Sequence, residues 1–143
     1  MIAHNEIRER LVRTIQQSQR VAVGRRTRAE EAERDTMTVL TQIATPVFKT
    51  LASILKDEGY KFRVLTPTGA VQLASEASSE DFIELMLDTK RDPPALVGRV
   101  SRGWGRRVLV DELVLRDAPA IGGLTEDEVL EFALAQLGPF VER

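Results

Sequence analysis

Ile54-Leu55-Lys56-Asp57-Glu58-Gly59-Tyr60-Lys61-Phe62-Arg63-Val64-Leu65-Thr66-Pro67-Thr68-Gly69-Ala70-Val71-Gln72-Leu73 is the stretch in which the chain changes its period. Upstream, Met37, Leu40, Ala44, Val47, Leu51 and Ile54 are spaced by threes and fours, the rhythm of one helix face. Downstream, Phe62 and Val64 alternate with Lys61 and Arg63, and Val71 and Leu73 resume the alternation after the turn chemistry of Thr66-Pro67-Thr68-Gly69. Between the two periods Gly59 is a good C′ residue, with Lys56 in the last helical turn and Tyr60 placed to pack back on Leu55. A four-residue loop at 67–70 puts Phe62, Val64, Val71 and Leu73 on one face of a hairpin. A helix that hands over directly to antiparallel strands predicts an α+β fold.

Toward the N-terminus, Ile43, Phe48 and Leu55 widen the helical seam beyond what a two-stranded coiled coil needs. The helix is therefore expected to lie on the sheet that follows, with a coiled-coil seam as the alternative. Pro46 removes a donor inside this pattern, so Thr45-Pro46 should mark a kink or a restart. Residues 25–36, RRTRAEEAERDT, are strong helix formers with Arg/Glu pairs at helical spacing and little apolar surface. A helix that is polar all round projects into solvent or meets another chain. Ahead of it Ile7, Leu11, Val12 and Ile15 form a short amphipathic set, and Val21-Ala22-Val23-Gly24 is a candidate interruption. Residues 1–28 hold seven Arg and two Glu, a basic arm.

Toward the C-terminus a third strand is expected over Asp81–Thr89, with Ile83, Leu85 and Leu87 on one face and Glu84, Met86 and Asp88 on the other, closed by Lys90-Arg91-Asp92-Pro93-Pro94. Strands at Ala95–Arg102 and Arg106–Arg116 flank Gly103-Trp104-Gly105. A three-residue loop there would set Val100 beside Val108 and Gly98 beside Val110, with a bulge near Asp111-Glu112 to account for the change of face at Leu113 and Leu115. The last helix has the strongest local signals. Thr125 to Glu128 reads as a capping box, Leu124 and Val129 as a hydrophobic staple, and Gly138-Pro139 as a stop. Its apolar face, Val129, Phe132, Ala133 and Leu137, should pack on the sheet.

The expected architecture is thus a long N-terminal helix kinked near Pro46, an antiparallel β-meander of about five strands, and a C-terminal helix packed on the sheet. In domain terms, residues 1–36 form a polar and basic helical arm, and 37–143 an α+β globular domain with helix 37–58, sheet 61–116 and helix 126–137. This order resembles the RWD-type modules that terminate some coiled-coil proteins. It is also broadly similar to small acidic secretion chaperones, except that those interrupt the sheet with a helix where this chain has only residues 90–94.

The chain's 143 residues, 43% of them hydrophobic and 29% charged, suit one globular domain with an appendage. No stretch of about 18 to 20 apolar residues suggests a bilayer crossing, and acids at Glu6 and Glu9 with no apolar core argue against a secretory signal. A cytoplasmic location and no membrane partner are the expectation. The absence of cysteine removes disulfides, thiolate nucleophiles and cysteine-ligated metal sites, and the single histidine, His4, sits near a terminus. No catalytic set is visible, so an enzyme is not expected, nor is any metal or cofactor.

Two surfaces stand out. Arg99, Arg102, Arg106 and Arg107 fall within nine residues with Trp104 at the expected tip, offering phosphate contacts and a stacking surface to nucleic acid or a phosphorylated ligand. Against that, Asp111, Glu112, Glu84 and Asp88 could neutralise these arginines across the sheet, and the pI of 5.5 is acidic. The leading expectation is a non-enzymatic interaction or scaffold module that forms a homodimer or docks a partner protein through its N-terminal helix. The candidate interface residues are Ile7, Leu11, Ile15, Met37, Leu40, Val47 and Leu51. Nucleic-acid or phospholigand binding at 99–107 is the alternative.

Overall fold

One helical path of 54 residues runs from His4 to Asp57 in the computed structural model, which describes residues 1–142. At 1.5 Å per residue it is about 80 Å long. It comprises α1 (His4–Val39), a π turn (Leu40–Ala44) and α2 (Thr45–Asp57). The expected interruption at 21–24 does not occur. Gly24 is carried by the strong helix formers that follow it, Arg25, Arg26 and Arg28 to Glu31, and the exposed hydroxyls of Thr14, Thr27 and Thr38 each donate to the carbonyl four residues back.

The kink expected at Thr45-Pro46 takes the form of the π turn. Thr45 donates to the Leu40 carbonyl from both its backbone N–H and its side-chain hydroxyl, the latter at 2.7 Å, so one extra residue is taken into the turn. Pro46 then follows directly on the π turn, where the regular bond pattern of the helix is already interrupted and its missing N–H is accommodated. The extra residue also rotates the apolar face. Leu40, Ala44, Phe48 and Leu51 are buried together with Ala32, Thr36 and Val39, while Met37 and Ile54 are turned out to solvent. Buried side chains therefore begin at Ala32, inside the segment expected to be arm.

α2 ends as its sequence signals imply. Gly59 has φ 95°, its N–H reaches the Lys56 carbonyl, and Tyr60 N–H reaches Leu55 O at 2.7 Å, a Schellman closure. One 18-residue window of the rod reaches a mean hydropathy of 1.3 and so satisfies the length and composition of a membrane-spanning helix, contrary to the sequence reading. Yet Val39, Leu40, Ala44, Phe48 and Leu51 of the same rod are buried in the domain's own core.

The sheet is an antiparallel meander in sequence order, with β1 at Phe62–Leu65, β2 at Ala70–Ser75, β3 at Phe82–Asp88, β4 at Ala95–Trp104 and β5 at Arg107–Asp117. The first hairpin has the expected register, with Val64 opposite Leu73. The last does not. Trp104 pairs with Arg107, so the loop is the two residues Gly105-Arg106, with Gly105 at φ 60°, and Val100 lies opposite Asp111 where Val108 was expected. The bulge lies elsewhere too: Val97 pairs with Val114 but Leu96 with Arg116, which leaves Leu115 as the extra residue.

One face of the sheet carries the core. Val71, Leu73, Ile83, Leu85, Leu96 and Val100 meet Phe48 and Leu51 of α2 and Val129, Phe132, Leu137 and Phe140 of α3 (Glu126–Val141). At Gly98 α3 comes close to the sheet, since a Cβ there would lie 2.4 Å from Phe132 Cε1. The capping box at Thr125 and Glu128 forms, and both staple residues, Leu124 and Val129, are buried. α3 continues through Pro139 to Val141, past the expected stop at residue 137. A proline in the last turn sacrifices few bonds, and the turn is anchored by buried Phe140, whose ring meets Phe62 edge-on at 6.2 Å. Arg116 clamps the end of β5 to this helix with two bonds to Glu128, at 2.9 and 2.5 Å, and a third to the Ala120 carbonyl of the 3-10 turn Ala120–Gly123. The pairing holds the Glu128 carboxyl below its ordinary range and raises Arg116.

Candidate interaction surfaces

The first surface is the free part of α1. Residues 4–23 are all exposed, and Ile7, Leu11 and Ile15, 45 to 56% exposed, are spaced i, i+4, i+8 along one stripe. Val12, Val21 and Val23 add exposed apolar area on other sides. Of the remaining candidate interface residues, Met37 is exposed, Val47 is half-buried against the core, and Leu40 and Leu51 are inside it. The helical seam is thus divided: its C-terminal part covers the sheet and its N-terminal part packs on nothing among the described residues.

The second surface is the β4–β5 hairpin. Cross-strand pairing sets Gln72, Glu84, Arg99 and Glu112 in one row over four strands. Gln72 donates to Glu84, Arg99 lies 3.9 Å from Glu84, and its Nε lies 3.4 Å from Glu112 Oε1. That last contact is an ion pair by distance but not a hydrogen bond by angle, so the buried Nε is unsatisfied. Arg99 is therefore compensated by acids. Glu84 is only 6% exposed and not the solvated residue that simple alternation implies, because Gln72 and Arg99 enclose it from both sides.

Arg102, Arg106 and Arg107 differ from Arg99: among the described residues none of them forms an ion pair. Trp104 beside them is 69% exposed. Behind the tip, the loop between β2 and β3 is stapled to β4. Asp81 Oδ1 accepts the Gly103 N–H at 2.8 Å, and the Ser101 hydroxyl donates to the Glu80 carbonyl at 2.6 Å. Asp88 accepts from the Lys90 N–H and from Arg91, so the acids of β3 are engaged with protein partners.

A cleft of about 900 Å³ separates α1 from the sheet, lined among others by Thr36, Met37, Glu84, Met86 and Arg99. Thr36, 3% exposed, has a hydroxyl without a hydrogen-bond partner among the described residues. Neither this buried threonine nor the burial of Glu84 could be found from residue type alone, since both depend on how the rod crosses the sheet. Comparison with protein-family models, with curated proteins and with solved structures gives no match for this chain.

Proposed function

We propose that the chain is a non-enzymatic interaction module whose projecting helix is the docking element, joining it to a second copy or to a partner protein. The observation that carries this reading is the stripe Ile7, Leu11 and Ile15, held on a helix with no side chain buried before Ala32. An isolated helix of this kind is marginal in water, and its apolar stripe gains stability only when something covers it. Sedimentation equilibrium at tens of micromolar tests the reading. Leu11→Lys with Ile15→Lys should weaken assembly of the full chain while leaving the domain's melting temperature unchanged. A full chain that shows no association with itself, and no helix-dependent capture of a partner, refutes it.

The uncompensated Arg102, Arg106 and Arg107 around exposed Trp104 support a second reading, binding of single-stranded nucleic acid at the hairpin tip. Anisotropy of a labelled oligonucleotide, at low and moderate salt with wild type and Trp104→Ala, separates the two readings. Only the second expects a salt-sensitive complex that the substitution weakens.

A further inference from the structure

β5 is an open sheet edge of 11 residues, much longer than the opposite edge, β1, which has 4. Its outer side presents backbone N–H and C=O groups with no partner among the described residues, and proteins ordinarily blunt such edges with charged side chains, proline or a bulge. Between Arg107 and Val114 β5 has no proline and no bulge, since its bulge lies beyond, at Leu115, and its charges are of both signs, Arg107 against Asp111 and Glu112. Both of its faces also carry exposed apolar residues: Val108, Val110 and Val114 beside Glu112 on one, Leu109 and Leu113 beside Arg107 and Asp111 on the other, the apolar ones each 41 to 47% exposed. A solvent-facing edge strand normally keeps one face polar.

We propose that β5 pairs antiparallel with β5 of a second copy, about a two-fold axis at Leu109. This interface is separate from the projecting helix and does not depend on that reading.

The register follows from two constraints. The two-residue loop closes on Trp104 and Arg107 as a hydrogen-bonded pair, so odd-numbered residues of β5 turn their backbone groups toward β4 and even-numbered ones turn outward. A symmetric pairing must match outward groups, which admits only registers centred on a single residue. Centring on Asp111 or Glu112 sets like charges against each other at the axis, and centring on Val108 or Val110 leaves Arg107 opposite a leucine. Centring on Leu109 sets Arg107 opposite the partner's Asp111 and Val108 opposite the partner's Val110, twice each by symmetry, with Leu109 against its own copy. It also brings the partner's Arg106 beside Glu112, extending the row Gln72, Glu84, Arg99, Glu112 by one charge of alternating sign. This register supplies an acid to Arg107 in the strand and to Arg106 in the turn, and sets Val108, Leu109 and Val110 beside apolar side chains of the partner.

The natural chain has no cysteine, so single-cysteine variants report this pairing without background. At the axis Leu109 would form a non-hydrogen-bonded pair, with Cα atoms about 4.5 Å apart, inside the range a disulfide spans. Leu109→Cys in the full chain at tens of micromolar should convert to a disulfide-linked dimer under mild oxidation. Val110→Cys, whose copies are offset diagonally and too far apart, should stay reduced. Adding Val110→Pro to Leu109→Cys should abolish the cross-link, because it removes an outward N–H without touching the ladder to β4. Adding Leu11→Lys and Ile15→Lys should leave it intact, which separates this interface from the helix. Equal cross-linking of Leu109→Cys and Val110→Cys, preferential cross-linking through Val110→Cys, or loss of the Leu109→Cys cross-link on the helix substitutions would overturn the proposal.

Discussion

Gly98→Ala should destabilise the domain although alanine is a permitted residue in a β-strand. The added methyl would lie 2.4 and 2.6 Å from Phe132 Cε1 and Cζ and 3.0 Å from Leu115 Cδ1. Carbon atoms in cores rest about 3.5 to 4.0 Å apart, so the phenyl ring must withdraw by about 1 Å. It has little room to do so, since Phe132 is itself buried and its neighbours Val129 and Ala133 are fully buried. Overpacking of this kind costs about 1 to 3 kcal/mol. Alanine restores about 0.4 to 1 kcal/mol by restricting the unfolded chain, which leaves a net loss of about 1 to 2 kcal/mol. For a domain of this size that is a fall in melting temperature of about 4 to 8 °C.

Calorimetry is the suitable assay. Trp104 is too exposed to report on the core by fluorescence, and the uncovered part of α1 would add its own gradual melting to circular dichroism. Combining Gly98→Ala with Phe132→Leu should recover part of the loss, because leucine lacks the two ring atoms that clash, and the coupling should exceed about 0.5 kcal/mol in a double-mutant cycle. A Gly98→Ala protein as stable as wild type would mean that α3 is not seated directly on β4, and the packing argument would fail with it.

Two further outcomes follow from polar contacts. Asp81→Ala leaves the Gly103 N–H without its acceptor and should cost about 1 to 3 kcal/mol, read as faster amide exchange at Gly103 and a lower melting temperature. Glu128, lowered mainly by its hydrogen bonds to Arg116, contributes stability that is fully present above its unfolded pKa and is lost as pH falls through its folded one. Glu128→Gln should therefore be less stable than wild type at neutral pH, and the difference should close in acid; a gap that persists there would exclude the ionised pair as its source.

Those elements that were legible in the sequence are those in which several local signals agree. At the α2–β1 junction the helical period, Gly59 and the Pro67-Thr68-Gly69 turn all point the same way, and both the Schellman closure and the register of Val64 against Leu73 follow. The cap of α3 was equally legible, because Thr125, Glu128, Leu124 and Val129 form a fixed pattern over six residues. The end of that helix was not. Local rules stop it at Pro139, while the burial of Phe140 against Phe62 is a tertiary contact from a strand far away in sequence. The π turn belongs between these cases: Pro46 signals a disturbance, but the shift that exposes Met37 and buries Phe48 depends on where the extra residue is inserted. For the candidate sites, the stripe Ile7, Leu11 and Ile15 was legible as an exposed face, and acids across the sheet were expected to neutralise the hairpin arginines, but that Glu84 and Glu112 engage Arg99 and not Arg102, Arg106 or Arg107 follows only from the cross-strand row.

The β4–β5 hairpin has a more specific lesson. Register is ordinarily set by the side chains, since a slip of one residue moves every apolar group to the wrong face. β5 gives no such preference, because Val108, Leu109 and Val110 are consecutive and valine or leucine also occupies both faces at Leu113 and Val114. The turn must then decide, and Gly103-Trp104-Gly105-Arg106 admits either a three-residue loop or the two-residue loop that is found, closed by Gly105 at φ 60°. Choosing the shorter loop carries Trp104 into the strand and turns Asp111, not Val108, toward Val100. The same doubling of apolar faces that removes the preference also leaves β5 poorly suited to end a sheet in water. Within a single chain the pattern is ambiguous; opposite a second β5 it has one charge-matched register, at Leu109, and the cysteine cross-link there measures whether that register is used.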